Sequence, residues 1–572
     1  MPSERKPKEI AWKVWSRQAF DEAKRTGRLV LLDLTASWCH WCHVMDRKTY
    51  DNDEIAGLIN DNFVPIRVNI DQRPDISERY NRGGFPTTAF LSDQGESVWG
   101  STYIPPTDMK RIIGSILQAK RSGEIERALE RGRMPYLDIS KAAMPKDQVT
   151  AEELDDVFEE IFSSYDVEHG GFGIEPKFPH PDVLDVLLTR FMESKDVELA
   201  DAATNTLEKM TEGLYDGPEG GVFRYSVSRD WRTPHYEKML ETNLGYLRNL
   251  VHAYAVTEKK DFEMRAKGVA KYLLGTLRDA HSGGFYGSQD ADEEYYRSAV
   301  DERRKREAPS VDRTAYAGWN ADAARVLLAS GKVLGQDDWI DAGLGAWRNL
   351  VGSLWDPDRK LVRHQAREDI YLFEDQVSFL EALLEVLETA GDESLHGLAE
   401  ELMEGVDRWF ANEDGGYNDV IREGDAIGEL GTPRRPLVEN SDWALALASF
   451  GTITHRDDLT VKARSILSLF GRSEIYAHGL FGAAYLRARW VLDKGPVSVV
   501  VHALPERLHE RLELCKSARS VVHPAIMVSR VADDHAPKAF AVVCSGDECL
   551  PKIHEPAKLR NSLTTLIAER RR

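Results

Sequence analysis

Three textures of apolar and polar positions follow one another along the chain. Near the N-terminus, Phe20, Ala23 and Lys24 fall in an amphipathic helical pattern. Arg28-Leu-Val-Leu-Leu-Asp33-Leu-Thr35 follows as an apolar run with strand character. Residues 40 to 50 can continue as a helix, and Phe63-Val-Pro-Ile-Arg-Val-Asn-Ile70 reads as the next strand. Gly84-Phe85-Pro86-Thr87-Thr88 precedes a third, Ala89-Phe90-Leu91, with a partner around Ser97-Val98-Trp99. Between residues 150 and 490 the period becomes helical: Val157, Phe158, Ile161, Phe162 and Tyr165 share one face. So do Leu244, Leu247, Leu250, Val251 and Tyr254, and likewise Phe379, Leu380, Leu383, Leu384 and Leu387. Residues 496 to 572 shift again. Val497-Ser-Val-Val-Val501, a helix near Pro505 to Lys516, Ala539-Phe-Ala-Val-Val543 and a helix from Ala557 predict a small α/β module.

A repeated loop punctuates the helical stretch. Gly170-Gly-Phe172, Gly220-Gly-Val-Phe223, Gly283-Gly-Phe-Tyr286 and Gly415-Gly-Tyr417 read as copies, and Asp166, Asp216 and Asp279 each precede the pair by four residues. Asp356-Pro-Asp-Arg-Lys360-Leu-Val362 and His478-Gly-Leu-Phe481 are weaker copies. Taken at Gly170, Gly220, Gly283, Lys360, Gly415 and His478, the spacings are 50, 63, 77, 55 and 63 residues. Each interval holds about two helices of roughly 15 to 20 residues, so six loops imply twelve helices in stacked units. Six such hairpins resemble the (α/α)6 toroid of six-hairpin glycosidases and sugar epimerases; an open solenoid is the alternative. The expected organisation is multidomain: an α/β domain over 1–125, a linker over 126–149, an all-α (α/α)6 toroid over 150–495 and a small α/β C-terminal module over 496–572.

Composition narrows the class. With 74 Lys and Arg against 95 Asp and Glu, the 572-residue chain carries a formal charge of −21, and 42% of its residues are hydrophobic. Such a chain builds packed cores and is a poor candidate for gripping nucleic acid or anionic membrane. No apolar run approaches the ~18 residues of a membrane span, and the N-terminus lacks the apolar stretch of a signal peptide. A cytoplasmic location is expected, with neither nucleic-acid nor membrane partners and no cofactor or metal.

Five cysteines cannot staple a chain of this size, so the pair in Ser37-Trp38-Cys39-His40-Trp41-Cys42-His43 stands out. The motif satisfies C-x-x-C-H, the pattern of c-type haem attachment, but no export signal accompanies it. Metal binding with His40 and His43 would need a second ligand pair, and no other C-x-x-C exists. The third reading is a redox dithiol, with Cys39 at a helix N-terminus where the dipole favours a thiolate. The order β, Cys-x-x-Cys helix, β, helix, turn-Pro-Thr, β-β, helix resembles the thioredoxin fold over residues 10 to 120. That resemblance implies Cys39 as nucleophile, Cys42 as resolving thiol, Asp33 as the buried aspartate that assists proton transfer and Pro86 as the cis-proline. The bulky Trp41 departs from the small residues usual in reductases. Cys544 and Cys549 can be a disulfide, half a metal site or two unremarkable thiols, and Cys515 reads as buried.

In the helical region the richest segment is Arg224-Tyr225-Ser226-Val227-Ser228-Arg229-Asp230-Trp231-Arg232-Thr233-Pro234-His235-Tyr236-Glu237-Lys238. Asp290, Asp292, Trp319, Asn320, Glu374, Asp375, Glu439 and Asn440 form further polar clusters near helix starts. Aromatic platforms beside carboxylates suit sugar rings. Arg224, Tyr225, Asp230, Trp231, His235, Glu237, Lys238, Asp290, Asp292, Trp319, Asn320, Glu374 and Asp375 are therefore expected to line a ligand funnel for a sugar-like small molecule. The opposing reading makes Asp290, Asp292 and Asp375 helix caps and His235, Glu237 and Lys238 an internal clamp.

Across the chain, Trp38-Cys-His-Trp-Cys-His-Val-Met45, Gln72-Arg-Pro-Asp75, Gly83-Gly-Phe-Pro86, Gly100-Ser-Thr-Tyr103, Pro176-Lys-Phe-Pro179, Arg224-Tyr-Ser-Val227, Pro234-His-Tyr-Glu-Lys-Met-Leu240, Ser288-Gln-Asp-Ala-Asp292 and Trp319-Asn320 occur in order. From about residue 10 to 450 they resemble the spermatogenesis-associated, thioredoxin-domain protein family. The resemblance implies a thioredoxin-like domain joined to a six-hairpin toroid. Ser228 stands where that family has aspartate, and Glu293-Glu294-Tyr295-Tyr296 with a charged run replaces its acidic, glycine-containing extension. The expected function is thiol–disulfide exchange on a protein disulfide, coupled to a toroid that binds a ligand or partner. The alternatives are a carbohydrate-active hydrolase or epimerase, and a non-enzymatic binding protein.

Overall fold

The computed structural model describes residues 9–132, 149–421, 426–504, 506–546 and 548–570. They form two compact units. One takes the described residues of Met1–Pro145 with Asp290–Asp292 and Val420–Arg434; the other takes the rest. Among the described residues, no helix is long and apolar enough to cross a membrane.

The first unit runs α1 (Arg17–Thr26), β1 (Leu29–Thr35), α2 (His40–Met45), α3 (Asp53–Asn62), β2 (Phe63–Asn69), α4 (Pro74–Tyr80), β3 (Thr87–Leu91), β4 (Ser97–Ser101), α5 (Pro106–Arg121) and α6 (Glu124–Gly132). The sheet order is β2-β1-β3-β4, with β1 parallel to β2 in register from Leu29↔Phe63 to Thr35↔Asn69 and antiparallel to β3. This is the thioredoxin-like order that the sequence predicts. β1 is buried on both faces from Leu29 to Leu34, which is why its apolar run is continuous rather than alternating. One prediction is corrected at the edge of this unit. The linker expected from residue 126 begins as helix α6, because Ile125 and Leu129 pack into the core with Leu29, Phe63 and Ile113; residues 133–148 of that linker lie outside the described residues.

The second unit holds α7 (Ala151–Ser163), α8 (Pro181–Ser194), α9 (Val197–Leu214), α10 (Leu240–Thr257), α11 (Lys260–Tyr272) and the short α12 (Glu293–Arg297) and α13 (Val300–Arg303). It continues with α14 (Ala317–Leu334), α15 (Asp337–Leu354), α16 (Phe373–Ala390), α17 (Leu395–Trp409), α18 (Leu437–Thr454), α19 (Asp457–Leu467), α20 (Arg472–Ala477) and α21 (Gly482–Lys494). Helices α8, α10, α14, α16, α18 and α21 each pack on the next, and α21 packs back on α8. Helices α9, α11, α15, α17 and α19 back the first five from outside, while α7 backs α21. The result is a closed ring of six hairpins, an (α/α)6 toroid rather than a solenoid.

The repeated loops are the stitches of this ring. In three of the four strong copies the glycine N–H returns to the carbonyl four residues earlier: Gly170 to Asp166, Gly220 to Asp216 and Gly283 to Asp279, at 2.7 to 2.8 Å; in the fourth, Gly415 returns to Asn412 at 3.0 Å. Glycine is required at Gly220, where φ is +79° and a Cβ would lie 2.4 Å from the Gly268 carbonyl oxygen. The chain then meets an amide side chain in the first turn of the inner helix. Asn243 accepts from Val222 N–H and donates to its carbonyl; Asn320 does the same for Phe285, Gln376 for Val362 and Asn440 for Tyr417.

The tail belongs to the same compact unit as the ring. Its strands Val497–Ala503, Ile526–Ala532, Phe540–Ser545 and Glu548–Cys549 alternate with α22 (Leu508–Arg519) and α23 (Pro556–Glu569). The first strand is parallel to the second and antiparallel to the third, and the fourth pairs with the third. That strand order matches the N-terminal sheet. Cys544 and Cys549 form a disulfide, and Cys515 is buried.

Candidate functional site

The dithiol site starts where β1 ends. Cys39 is the N-cap of α2, Cys42 N–H donates to Cys39 Sγ at 3.2 Å, and the two sulfurs are joined as a disulfide. When the pair is reduced, that N–H and the helix dipole stabilise a Cys39 thiolate. Cys39 is 5% exposed and Cys42 2%, so both lie buried. The Phe85–Pro86 peptide bond is cis. Trp38 sets its ring edge-on to Phe85 and donates from Nε1 to Asp71 at 2.6 Å. Trp41 is 46% exposed.

Asp33 is the one carboxylate in the apolar run of β1, and it is buried. Its Oδ2 accepts from Arg67 Nε at 2.7 Å and its Oδ1 from Tyr50 Oη at 3.3 Å, while Tyr50 Oη also meets Thr88 Oγ1 at 2.9 Å. Burial pushes the Asp33 pKa up to about 6; Arg67 opposes this and the neighbouring Asp46 reinforces it. A carboxyl with that pKa changes protonation close to neutrality, as a proton acceptor for a thiol must. On the other side of the motif, His43 Nε2 lies 2.9 Å from the Ser37 carbonyl and 3.6 Å from Asp290 Oδ2. Hydrogen bonding to Asp290 raises the His43 pKa against the opposing effect of burial.

A second cluster lies in the ring unit, where Tyr225–Ser226 pairs with Pro234–His235. The Tyr225 ring is stacked between Phe178 and His235, each 4.5 Å away. Arg224 and His235 approach the two oxygens of buried Glu237 at 3.5 and 3.8 Å. This is an aromatic stack with a carboxylate and a cation at its edge.

Comparison with known proteins covers the stretch that holds the first of these sites. Residues 3–126 match the family described as "Thioredox_DsbH: Protein of unknown function, DUF255". A stretch of 307 residues is 30% identical to spermatogenesis-associated protein 20 of Rattus norvegicus, covering 50% of this chain and 39% of that protein. The chain thus spans about two fifths of the length of this relative. Over 64 residues it is 36% identical to Thioredoxin-T of Drosophila melanogaster, covering 11% of the chain and 39% of that protein. Among solved structures, cellobiose 2-epimerase from Bacillus thermoamylovorans B4167 aligns over 55% of this chain and 85% of that one, with 11% identity and a TM-score of 0.45.

Of the residues expected around the dithiol, Cys39, Cys42, Asp33 and Pro86 all lie within the matched residues 3–126. The expected funnel is only partly assembled. Arg224, Tyr225, His235 and Glu237 come together, and Trp319 is half-buried with its ring edge against Tyr316. Several members are corrected to structural roles. Trp231 is fully buried with Nε1 donating to the His169 carbonyl. Lys238 is also fully buried, donating to Asp216 at 2.6 Å and to the Gly220 carbonyl at 2.9 Å, and Lys177 repeats this with Asp166 and Gly170. Asn320 is the amide clamp on Phe285, buried on α14. Asp230 sits on a surface turn, accepting from Ser228 Oγ and Arg232 N–H. Asp290 and Asp292 belong to the first unit, not the ring.

Glu374, Asp375 and His364 place one ligand-type atom each within 4.8 Å of one another. Asp375 is already engaged, however: Oδ1 accepts from Gly318 N–H and Oδ2 meets His364 Nδ1. Sequence reasoning missed the charges inside the ring. Arg487 bridges Asp182 and Asp442, Arg248 pairs with Asp182 and Asp185, and Arg325 with Asp322 and Glu381. Every one of these residues is on an inner helix. Burial raises the pKa of Glu381 to about 7 despite Arg325. A signal existed in charged positions one turn apart on otherwise apolar helices.

Proposed function

We propose that the N-terminal unit carries out thiol–disulfide exchange on a protein disulfide. The observation that carries this is buried Asp33, with its pKa near 6, in β1 immediately before the Cys39–Cys42 helix. In the reducing direction the Cys39 thiolate attacks one sulfur of the substrate disulfide, forming a mixed disulfide and expelling the other as thiolate. Asp33 takes the Cys42 proton. The Cys42 thiolate then attacks Cys39 Sγ, releasing the second substrate thiol. Two electrons pass to the substrate, and the chain is left with the disulfide described above. A cytoplasmic setting, which we also propose, would return it to the dithiol form through an external thiol. Cys39→Ser should abolish dithiothreitol-driven insulin reduction, measured by turbidity; equal rates for variant and wild type would refute the assignment.

A second reading is favoured by the Phe178–Tyr225–His235 stack beside Glu237, which suits a sugar ring. In this reading the toroid binds a sugar-like small molecule and acts in carbohydrate metabolism. Any hexose that raises the melting temperature of the wild type should fail to do so for Tyr225→Ala. No shift from a broad sugar panel removes the support.

A further inference from the structure

The disulfide between Cys544 and Cys549 is placed unlike a structural staple. The two residues are direct cross-strand partners in an antiparallel pair, so the bond ties positions that the ladder already holds together. It closes only a short hairpin, for which the loop-entropy gain of a cross-link is small. The strand Glu548–Cys549 is the outermost of its sheet. Both of its residues are exposed, whereas Cys544 is only partly so. Leu550, next in sequence, is an exposed apolar side chain at 36%, as Trp41 is beside Cys42. An exposed half-cystine on an open strand edge, flanked by an apolar side chain, offers an attacking thiolate room to line up with an S–S bond. The chain itself carries a dithiol built for that attack.

We propose that Cys544–Cys549 is an acceptor disulfide, reduced by the Cys39–Cys42 dithiol of a second copy of this chain. This rests on the thiol–disulfide reading of the N-terminal unit. The Cys39 thiolate attacks Sγ of the exposed Cys549, the Cys544–Cys549 bond breaks, and Cys544 leaves as a thiolate that takes up a proton. Cys42, deprotonated by Asp33, then attacks Cys39 Sγ and frees Cys549 as a thiol. The donor pair is oxidised, the acceptor pair reduced, and two electrons and two protons have moved. The edge hairpin is thereby a redox mark that one molecule writes on another.

The test mixes two full-length proteins distinguished by a tag. The donor carries Cys544→Ser and Cys549→Ser and is supplied with Cys39–Cys42 reduced; the acceptor carries Cys39→Ser and Cys42→Ser and is supplied with Cys544–Cys549 oxidised. Alkylation and mass spectrometry should show the acceptor pair gaining two thiols in step with donor oxidation. A donor further changed at Cys42→Ser should accumulate a linked species containing a Cys39–Cys549 peptide. If the donor reduces insulin while the acceptor pair stays oxidised, the proposal is overturned and the activity stands. If insulin also stays unreduced, both fall.

Discussion

Asp33 has a stability cost that depends on pH. Its folded pKa, about 6, lies above the ordinary value of 3.8. Between those values the folded state holds more protons than the unfolded one, so stability falls as pH rises through the window and the full cost is present above it. Two pKa units correspond to about 3 kcal/mol. Asp33→Asn should therefore gain stability over the wild type as pH goes from 4 to 7, by roughly that amount, in urea melts of the oxidised protein. A pH-independent difference would show that Asp33 ionises without penalty. Cys39 and Cys42 were legible in the sequence because their spacing at the start of a helix is local, and Asp33 and Pro86 because the resemblance to the thioredoxin fold implies them. Trp231 and Lys238 were misread because a polar or aromatic residue in a rich loop looks the same whether it faces a ligand or plugs a repeat. Only the partner, Asp216 for Lys238 and the His169 carbonyl for Trp231, separates the two.

At the scale of the element, the ring's economy is a single hairpin stitched by one amide side chain. Asn320 satisfies both backbone groups of Phe285 and also donates to the Tyr316 carbonyl at 2.9 Å. Removing it leaves a buried N–H and a buried carbonyl without their partner, which costs about 3 kcal/mol. Asn320→Ala should lower stability by that order in denaturant unfolding, whereas a residue that only contacts ligand would leave it unchanged. The loops themselves were legible, because Asp and Gly-Gly recur at fixed offsets and demand positive φ. The strand Ile526–Ala532 was not. Its burial alternates only at the start, and its last two residues are exposed, so it shows too short an apolar pattern to stand out before its parallel partner is known.

Over the whole ring, closure depends on charges that meet across distant parts of the chain. Arg487 on α21 reaches Asp182 on α8 at 3.1 Å and Asp442 on α18 at 2.7 Å. Replacing it with alanine strands a mostly buried carboxylate, at a cost of about 3 kcal/mol. Burial already raises the Asp442 pKa while Arg487 opposes it. Without the guanidinium the folded carboxyl binds its proton more tightly, so the variant regains stability as pH falls. Arg487→Ala should be clearly less stable than the wild type at pH 8, and the gap should narrow at pH 5. The six-fold count of hairpins was readable from loop spacing. The inner charges left only the faint signal of charged positions one turn apart on apolar helices, and nothing in a helix's periodicity says which face will look into the ring.

The last hairpin of the ring is made of its first and last helices, α7 and α21, and Arg472–Asp156 and Lys494–Glu193 join residues 316 and 301 apart in sequence. On a ribosome adding roughly 5–20 residues per second, α8 waits roughly 15–60 s for the neighbour that completes its packing. The N-terminal sheet, whose strands all fall within residues 29–101, can close long before. Synthesis therefore divides into an early N-terminal sheet, whose unit is completed only when Val420–Arg434 is made, and a long interval in which five hairpins stand side by side with an open seam. Until α21 emerges, α8 and α18 lack the helix that packs between them.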